Sequence, residues 1–191
     1  MGEKKILIAY GTRYGNTEEI SKEISKKLEE IGFESIIYNL GVGKTKNWPN
    51  IDDYDGIIVG TSLKVNAWKK QVKNFINKHK EQLKNKKFGV FTCGAYAIGA
   101  PKEAYDDIPK RLNEKFNLKA DIHASFGGVI DFSENSNVGR AGKSVLKLVA
   151  LGFSKEFNIE IDMEGRNDFR DWEKIRNFTK NYVKILKEAK E

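Results

Sequence analysis

The sequence predicts an α/β fold, a doubly wound five-stranded parallel sheet with helices on both faces. Apolar runs recur that are too continuous to leave one face wet, as in strands buried on both sides. Segments with an apolar stripe at helical spacing separate them, and the alternation builds a parallel sheet through right-handed crossovers. With 191 residues the chain can cover both faces of such a sheet, and it reads as one domain over 1–191 with a basic amphipathic insert at 132–165 before the last helix.

The elements follow in order. Ile6 to Tyr10 is the first strand run, and Thr17 to Ile31 the first helix, with Ile20, Ile24, Leu28 and Ile31 on one stripe. Glu18 and Glu19 in its first turn, Lys26 and Lys27 near its end, and Gly32 just past it suit the helix dipole and a left-handed stop. Ile36 to Leu40 and Gly56 to Thr61 are the second and third strands. A helix is expected from Trp68 to Leu83, carrying Val72, Phe75 and Ile76 inward, then a strand from Phe88 to Thr92 and a helix from Ala104 to Phe116. Ile122 to Ile130 reads as the fifth strand, and the closing helix runs from Asp171 to Ala189 with Trp172, Ile175, Tyr182, Val183 and Leu186 apolar.

Between the first strand and the first helix lies Gly11-Thr12-Arg13-Tyr14-Gly15-Asn16-Thr17. The first N–H groups of a helix have no internal partner and the dipole adds about half a positive charge there, so an anion is held at such a turn without a lysine. Thr12, Asn16 and Thr17 can add side-chain hydrogen bonds; an ordinary cap by Thr17 with a bend at Gly15 is the plainer alternative. In an open α/β sheet, ligands bind beyond the carboxyl ends of the strands. That rule selects two more loops, Gly60 to Trp68 and Cys93 to Gly99, which combine small residues that permit close backbone approach with an aromatic side chain that can flank a planar ring.

The net charge is +7, which suits an anionic ligand or a lysine-rich solvated surface, and no zinc-finger spacing or RNA-recognition signature points to nucleic acid. The single cysteine, Cys93, excludes an intramolecular disulfide, and His79 and His123 lack metal-ligand spacing, so no metal is expected. Asn137 to Ser144 imitates a nucleotide P-loop, but Asn stands where its first glycine belongs. No apolar run is long enough to cross a bilayer or form a signal peptide, so the expected location is cytoplasmic. The stretch 137–155 carries Arg140, Lys143, Lys147 and Lys155 beside Val145, Leu146, Leu148, Val149, Leu151 and Phe153. Such a helix suits a peripheral contact with the inner face of a membrane, a cover over an apolar ligand entrance, or packing on the domain.

Thr12-Arg13-Tyr14-Gly15-Asn16-Thr17 resembles the phosphate pattern of the flavodoxin family, and it follows the first strand as that pattern does. The resemblance runs in order over residues 4–130 and the closing helix, and implies a flavodoxin-like fold with bound FMN. It implies that Thr12, Arg13, Tyr14, Gly15, Asn16 and Thr17 hold the phosphate, while Thr61, Ser62, Leu63 and Lys64 and then Cys93, Gly94, Ala95 and Tyr96 flank the ring. Tyr96 is the first candidate for stacking on it and Trp68 the second; Lys64 is a candidate for tuning the reduction potential, and no other catalytic residue is named, because the flavin carries the chemistry.

Within the family the chain is most similar to the quinone-dependent protoporphyrinogen oxidases of heme biosynthesis, through Val59 to Lys64, the extended segment after the fifth strand, and Asp168-Phe169-Arg170-Asp171-Trp172-Glu173. That likeness implies an oxidoreductase that oxidises protoporphyrinogen or a similar substrate, with a quinone as acceptor. The alternative is an electron carrier that shuttles between protein redox partners, against which the positive charge and the basic insert weigh. A receiver-like signalling domain is a third reading, but no acidic cluster follows the first strand.

Overall fold

The first apolar run forms strand β1 (Lys5–Gly11), followed by helix α1 (Asn16–Glu30), β2 (Glu34–Asn39) and β3 (Gly56–Lys64). Then come a short strand β4 (Ala67–Trp68), α2 (Lys70–Leu83), β5 (Lys87–Cys93), the four-residue helix α3 (Tyr96–Gly99) and α4 (Pro101–Phe116). The chain finishes with β6 (Ile122–Phe126), β7 (Val129–Asp131), α5 (Arg140–Phe157), β8 (Arg166–Asp168) and α6 (Trp172–Glu188). This computed structural model describes residues 4–43, 45–64, 67–134, 136 and 139–188, without the side chains of Lys64, Arg140 and Ala141. Asn137, Val138 and Ala189, to which the sequence reading extends, lie outside the described residues, as do the side chains of Lys64 and Arg140.

Five parallel strands lie in the order β2-β1-β3-β5-β6, as the alternation predicts, and β4 adds a short antiparallel pair to the end of β3, with Leu63 opposite Trp68. Alternate residues of the central strands enter two cores. Leu7, Ala9, Ile57, Val59, Phe88 and Val90 meet Val72, Phe75 and Ile76 of α2 and Ile108 and Leu112 of α4. On the opposite face Ile6, Ile8, Ile58 and Phe91 meet Ile20, Ile24 and Leu28 of α1 and Ile175, Phe178, Tyr182 and Val183 of α6. Both faces are therefore dry, which is why these strands read as unbroken apolar runs.

Two expectations are corrected. The run Ile122 to Ile130 is not one strand: it breaks at Gly127-Gly128, and β7 leaves the sheet to pair antiparallel with β8. At Gly127 the backbone of Phe169 comes so close that a Cβ would lie 2.8 Å from its carbonyl carbon and nearer still to its oxygen, so only glycine fits. Trp68 does not open a helix; it sits in β4, is 2% exposed and belongs to the α2-side core, which removes it as a stacking candidate. Its neighbour there is Arg111, whose guanidinium lies 5.9 Å from the ring centre.

The segment between β7 and α6 makes a third, small core of Ile130, Phe132, Ala150 and Ile161, against which Leu146, Phe153, Met163 and Phe169 pack. Helix α5 thus turns one face inward, while Val145, Leu148, Val149 and Leu151 stay exposed. Two of its lysines turn from that outer face, Lys143 bonding the Ser133 carbonyl and Lys147 lying over the Phe132 ring, while Lys155 is exposed. Among the described residues, no helix is long and apolar enough to cross a membrane.

His79 on α2 is buried, with Nδ1 2.8 Å from Gln82 Oε1, while Gln82 Nε2 donates to Asp52 Oδ2 at 2.8 Å. Its Nε2 has no partner among the described residues, and burial pushes the pKa of the ring down, a direction shared by the partly buried His123. A histidine held neutral binds fewer protons folded than unfolded, so stability falls as pH drops below about 6.5. Urea melts from neutral toward acid pH are expected to show that loss, with a shallower slope for His79→Gln.

Candidate functional site

The carboxyl ends of β1, β3, β5 and β6 form one edge, where Gly11 is level with Thr61, Ser62 with Cys93, and Cys93 with Phe126. The three loops selected from the sequence leave this edge side by side. In the first, Thr12 Oγ1 accepts from the Gly15 N–H at 2.9 Å, and Gly15 takes φ 93°, which lets its carbonyl receive Glu18 N–H at 2.9 Å and Glu19 N–H at 3.1 Å. No side chain caps α1, so the expected alternative of a Thr17 cap is not what forms. Thr17 instead turns inward, its Oγ1 3.2 Å from Cys93 Sγ. Burial pushes the Cys93 thiol up to about 11 against the opposing effects of Thr17 and Arg170, which leaves it a neutral packing group.

Strand alternation places the second loop. Thr61 Oγ1 accepts the Lys69 backbone N–H at 3.1 Å on the α2 face, so Ser62 points to the α1 face, beside its register partner Cys93. Ser62 is 8% exposed and its Oγ has no hydrogen-bond partner among the described residues. A buried hydroxyl left unpaired costs about 1–3 kcal/mol, so an acceptor beside the first turn of α1 is called for. Arg13 also leaves Nη1 buried and unpaired.

The third loop touches the second, since a Cβ on Gly94 would lie 3.3 Å from both Cβ and O of Leu63. Tyr96 opens α3 half-buried, Ala95 and Tyr14 are exposed, and Leu63 is half-buried. Lys64 ends β3, and its side chain lies outside the described positions. The structure therefore starts the three loops from one edge of the sheet, while Cys93 turns its side chain away into the α1-side core.

Residues outside the three loops complete the edge. Asn16 Nδ2 donates to the Val129 carbonyl at 3.3 Å. Arg170 is buried, donates through Nε and Nη2 to Asp168 at 2.8 and 2.5 Å, reaches Glu19 Oε2 at 2.5 Å, and lies 4.5 Å from the centre of the Trp172 ring. Burial pushes the Asp168 carboxyl up, but the bonds from Arg170 outweigh it and hold the pKa below the ordinary value. Sequence reasoning used Asp168 to Glu173 only as a likeness; the alternation of charged and aromatic residues just before a helix was the available signal. Among the described residues, no group of three or more His, Cys, Asp or Glu could hold a metal ion.

A family model described as a flavodoxin domain matches residues 7–149. The chain belongs to the flavodoxin domain family. It is similar to the protoporphyrinogen IX dehydrogenase (quinone) of Escherichia coli strain K12, 22% identical over 183 residues that cover 95% of this chain and 96% of that one. Among solved structures it is similar to oxidised flavodoxin 1 of Bacillus cereus, with a TM-score of 0.54 and 18% identity over 94% of this chain and 97% of that one. It is also similar to the rubredoxin oxygen:oxidoreductase of Desulfovibrio gigas, with a TM-score of 0.57 and 14% identity over 96% of this chain and 36% of that one. Flavodoxin domains bind FMN. The residues present fit that group, because the uncapped first turn of α1 and the unpaired Ser62 hydroxyl share one face at the sheet edge.

Proposed function

We propose that the chain is an FMN-dependent oxidoreductase that takes electrons from protoporphyrinogen or a similar flat, apolar substrate and gives them to a quinone. The observation that carries this reading is the placement of α5. Val145, Leu148 and Val149 are 64, 72 and 62% exposed, and Phe157 at the end of the same helix packs on Gly99, whose Cβ would lie 2.5 Å from the ring. The helix that carries this apolar outer face thus packs, at its C-terminal end, on the loop that begins at Cys93, which suits apolar reactants better than a polar docking face would. Near full-length likeness to the Escherichia coli dehydrogenase supports the same choice.

In this reading Thr12, Arg13, Tyr14, Gly15, Asn16 and Thr17 bind the phosphate, with Ser62 Oγ donating from the side. Thr61, Leu63 and Lys64 and the loop Cys93, Gly94, Ala95 and Tyr96 hold the ring, Tyr96 offering the aromatic face. FMN, when bound, supplies the electron-accepting chemistry. The chain orients the ring and, through β4 and α3, shuts water from its two sides, while the outer face of α5 meets a quinone or the inner membrane surface.

The test is spectroscopic. Purified protein is expected to take up FMN and turn yellow, to bleach with protoporphyrinogen IX under anaerobic conditions, and to recover with a menaquinone analogue. A colourless protein that refuses FMN overturns the reading. A yellow protein inert to the porphyrinogen turns it into the electron-carrier reading, with protein redox partners in place of small substrates.

A further inference from the structure

The first loop faces α2 as well as α1, and on that side two cations meet. Arg13 brings a half-buried guanidinium whose Nη1 has no partner among the described residues, and Lys69, the residue before α2, is anchored by its backbone bond to Thr61. The Cβ and Cγ of Lys69 lie 3.2 and 3.4 Å from where a Cβ on Gly11 would stand, so its stem begins against the root of the loop. Burial first and the charge of Arg13 second push the pKa of Lys69 down, so the two side chains feel each other.

Neither has an acidic partner among the described residues, although the loop has acids nearby. Glu18 is taken by Lys22 at 2.7 Å and Glu19 by Arg170 at 2.5 Å. Two like charges are therefore left within electrostatic reach of each other and partly out of water, an arrangement that an anion between them would offset. The start of α2 has no side-chain cap, and its dipole adds to the same field.

We propose that Arg13 and Lys69 are the counter-charges for a phosphate monoester dianion, and that they make the site select FMN over riboflavin. This rests on the FMN reading. A phosphate monoester carries close to two negative charges at neutral pH, and a helix end supplies only about half a positive one. Hydroxyls such as Thr12 and Ser62 give direction but no charge. Arg13 and Lys69 provide the balance, and binding in turn keeps Lys69 protonated.

The test is a fluorescence titration of the full chain with FMN and with riboflavin, at low and high salt, for wild type, Lys69→Gln, Lys69→Arg and Arg13→Gln. Lys69→Gln is expected to weaken FMN about 10- to 100-fold and riboflavin less than about twofold, as loss of a charge-assisted bond requires. Lys69→Arg retains most of the preference, and the salt dependence of FMN binding shrinks in both glutamine variants. In ³¹P spectra, FMN on the wild type stays dianionic through pH values near 6, while on Lys69→Gln it titrates closer to its free pKa. An unchanged ratio of FMN to riboflavin affinity in both glutamine variants overturns the proposal and leaves FMN binding standing. A wild type that takes up neither flavin overturns both.

Discussion

Arg170→Met is expected to cost about 2–4 kcal/mol of stability at neutral pH, less than a fully buried pair would because Glu19 is half exposed. The substitution keeps the packing on Trp172 but takes from the Asp168 carboxylate its two bonds from the guanidinium, leaving it the backbone N–H of residue 170 at 3.1 Å and Arg166 at 3.5 Å. The sign of the pH effect follows. In the wild type the Asp168 pKa is lowered, so its contribution is present above the ordinary carboxylate range and is lost as pH falls through the lower folded value. Without the guanidinium, burial is opposed only by the backbone bond at position 170 and the charge of Arg166, and the variant suffers most where the carboxylate must stay charged. Urea melts should therefore show a gap between wild type and variant that is widest at neutral pH and narrows toward about pH 4. FMN uptake should weaken too, since Glu19 in the first turn of α1 would then face the phosphate with Arg166 alone, 3.8 Å away.

Gly127→Ala should cost a further large amount, about 2–4 kcal/mol, because the added methyl meets backbone rather than the far end of a side chain. The obstacle is the Phe169 carbonyl, which cannot retreat without shifting the Asp168 and Arg170 pair next to it. Gly128 follows directly, 3.3 Å from the Gly94 Cα for a built Cβ, and its carbonyl accepts the Phe169 N–H at 3.1 Å. The damage should therefore reach the third loop. Thermal melting would register the lost stability, and a fall in FMN affinity beyond that of an equally destabilised core variant, such as Ile175→Val, would register the displaced edge.

The parts legible in the sequence are those decided locally. Ile6 to Tyr10 and Phe88 to Thr92 are apolar at every turn of the strand because both faces are covered, and the stripe of Ile20, Ile24 and Leu28 needs only its own spacing. The loop from Thr12 to Thr17 was readable for the same reason, since its turn is closed by Thr12 and Gly15 within the loop itself. What was not legible depends on residues far along the chain. Phe126-Gly127-Gly128-Val129 looks like continuing strand until the backbone of Phe169 is laid against it. Trp68 follows an apolar loop and precedes a helix, and only its pairing with Leu63 makes it strand. Arg170 finds Glu19 across 151 positions, and Lys69 comes under the charge of Arg13 with the start of α2 held at the sheet edge by Thr61.

Synthesis on the ribosome runs from the N-terminus, and the first helix waits for the last. Ile20 and Ile24 share their core with Ile175 and Tyr182, Asn16 bonds Val129, and Glu19 and Glu23 are held by Arg170 and Arg176. A nascent chain that has emerged as far as Cys93 already carries the Thr12 to Thr17 loop and the strands under α1, yet the side of the α1 stripe that meets α6 is uncovered and Glu19 and Glu23 lack their arginines. Domains of this size fold as units once such long-range partners are present. Cofactor loading is thereby tied to the emergence of α6, and a truncated product ending before α6 would expose part of the α1 stripe to chaperones and proteases instead of holding a flavin.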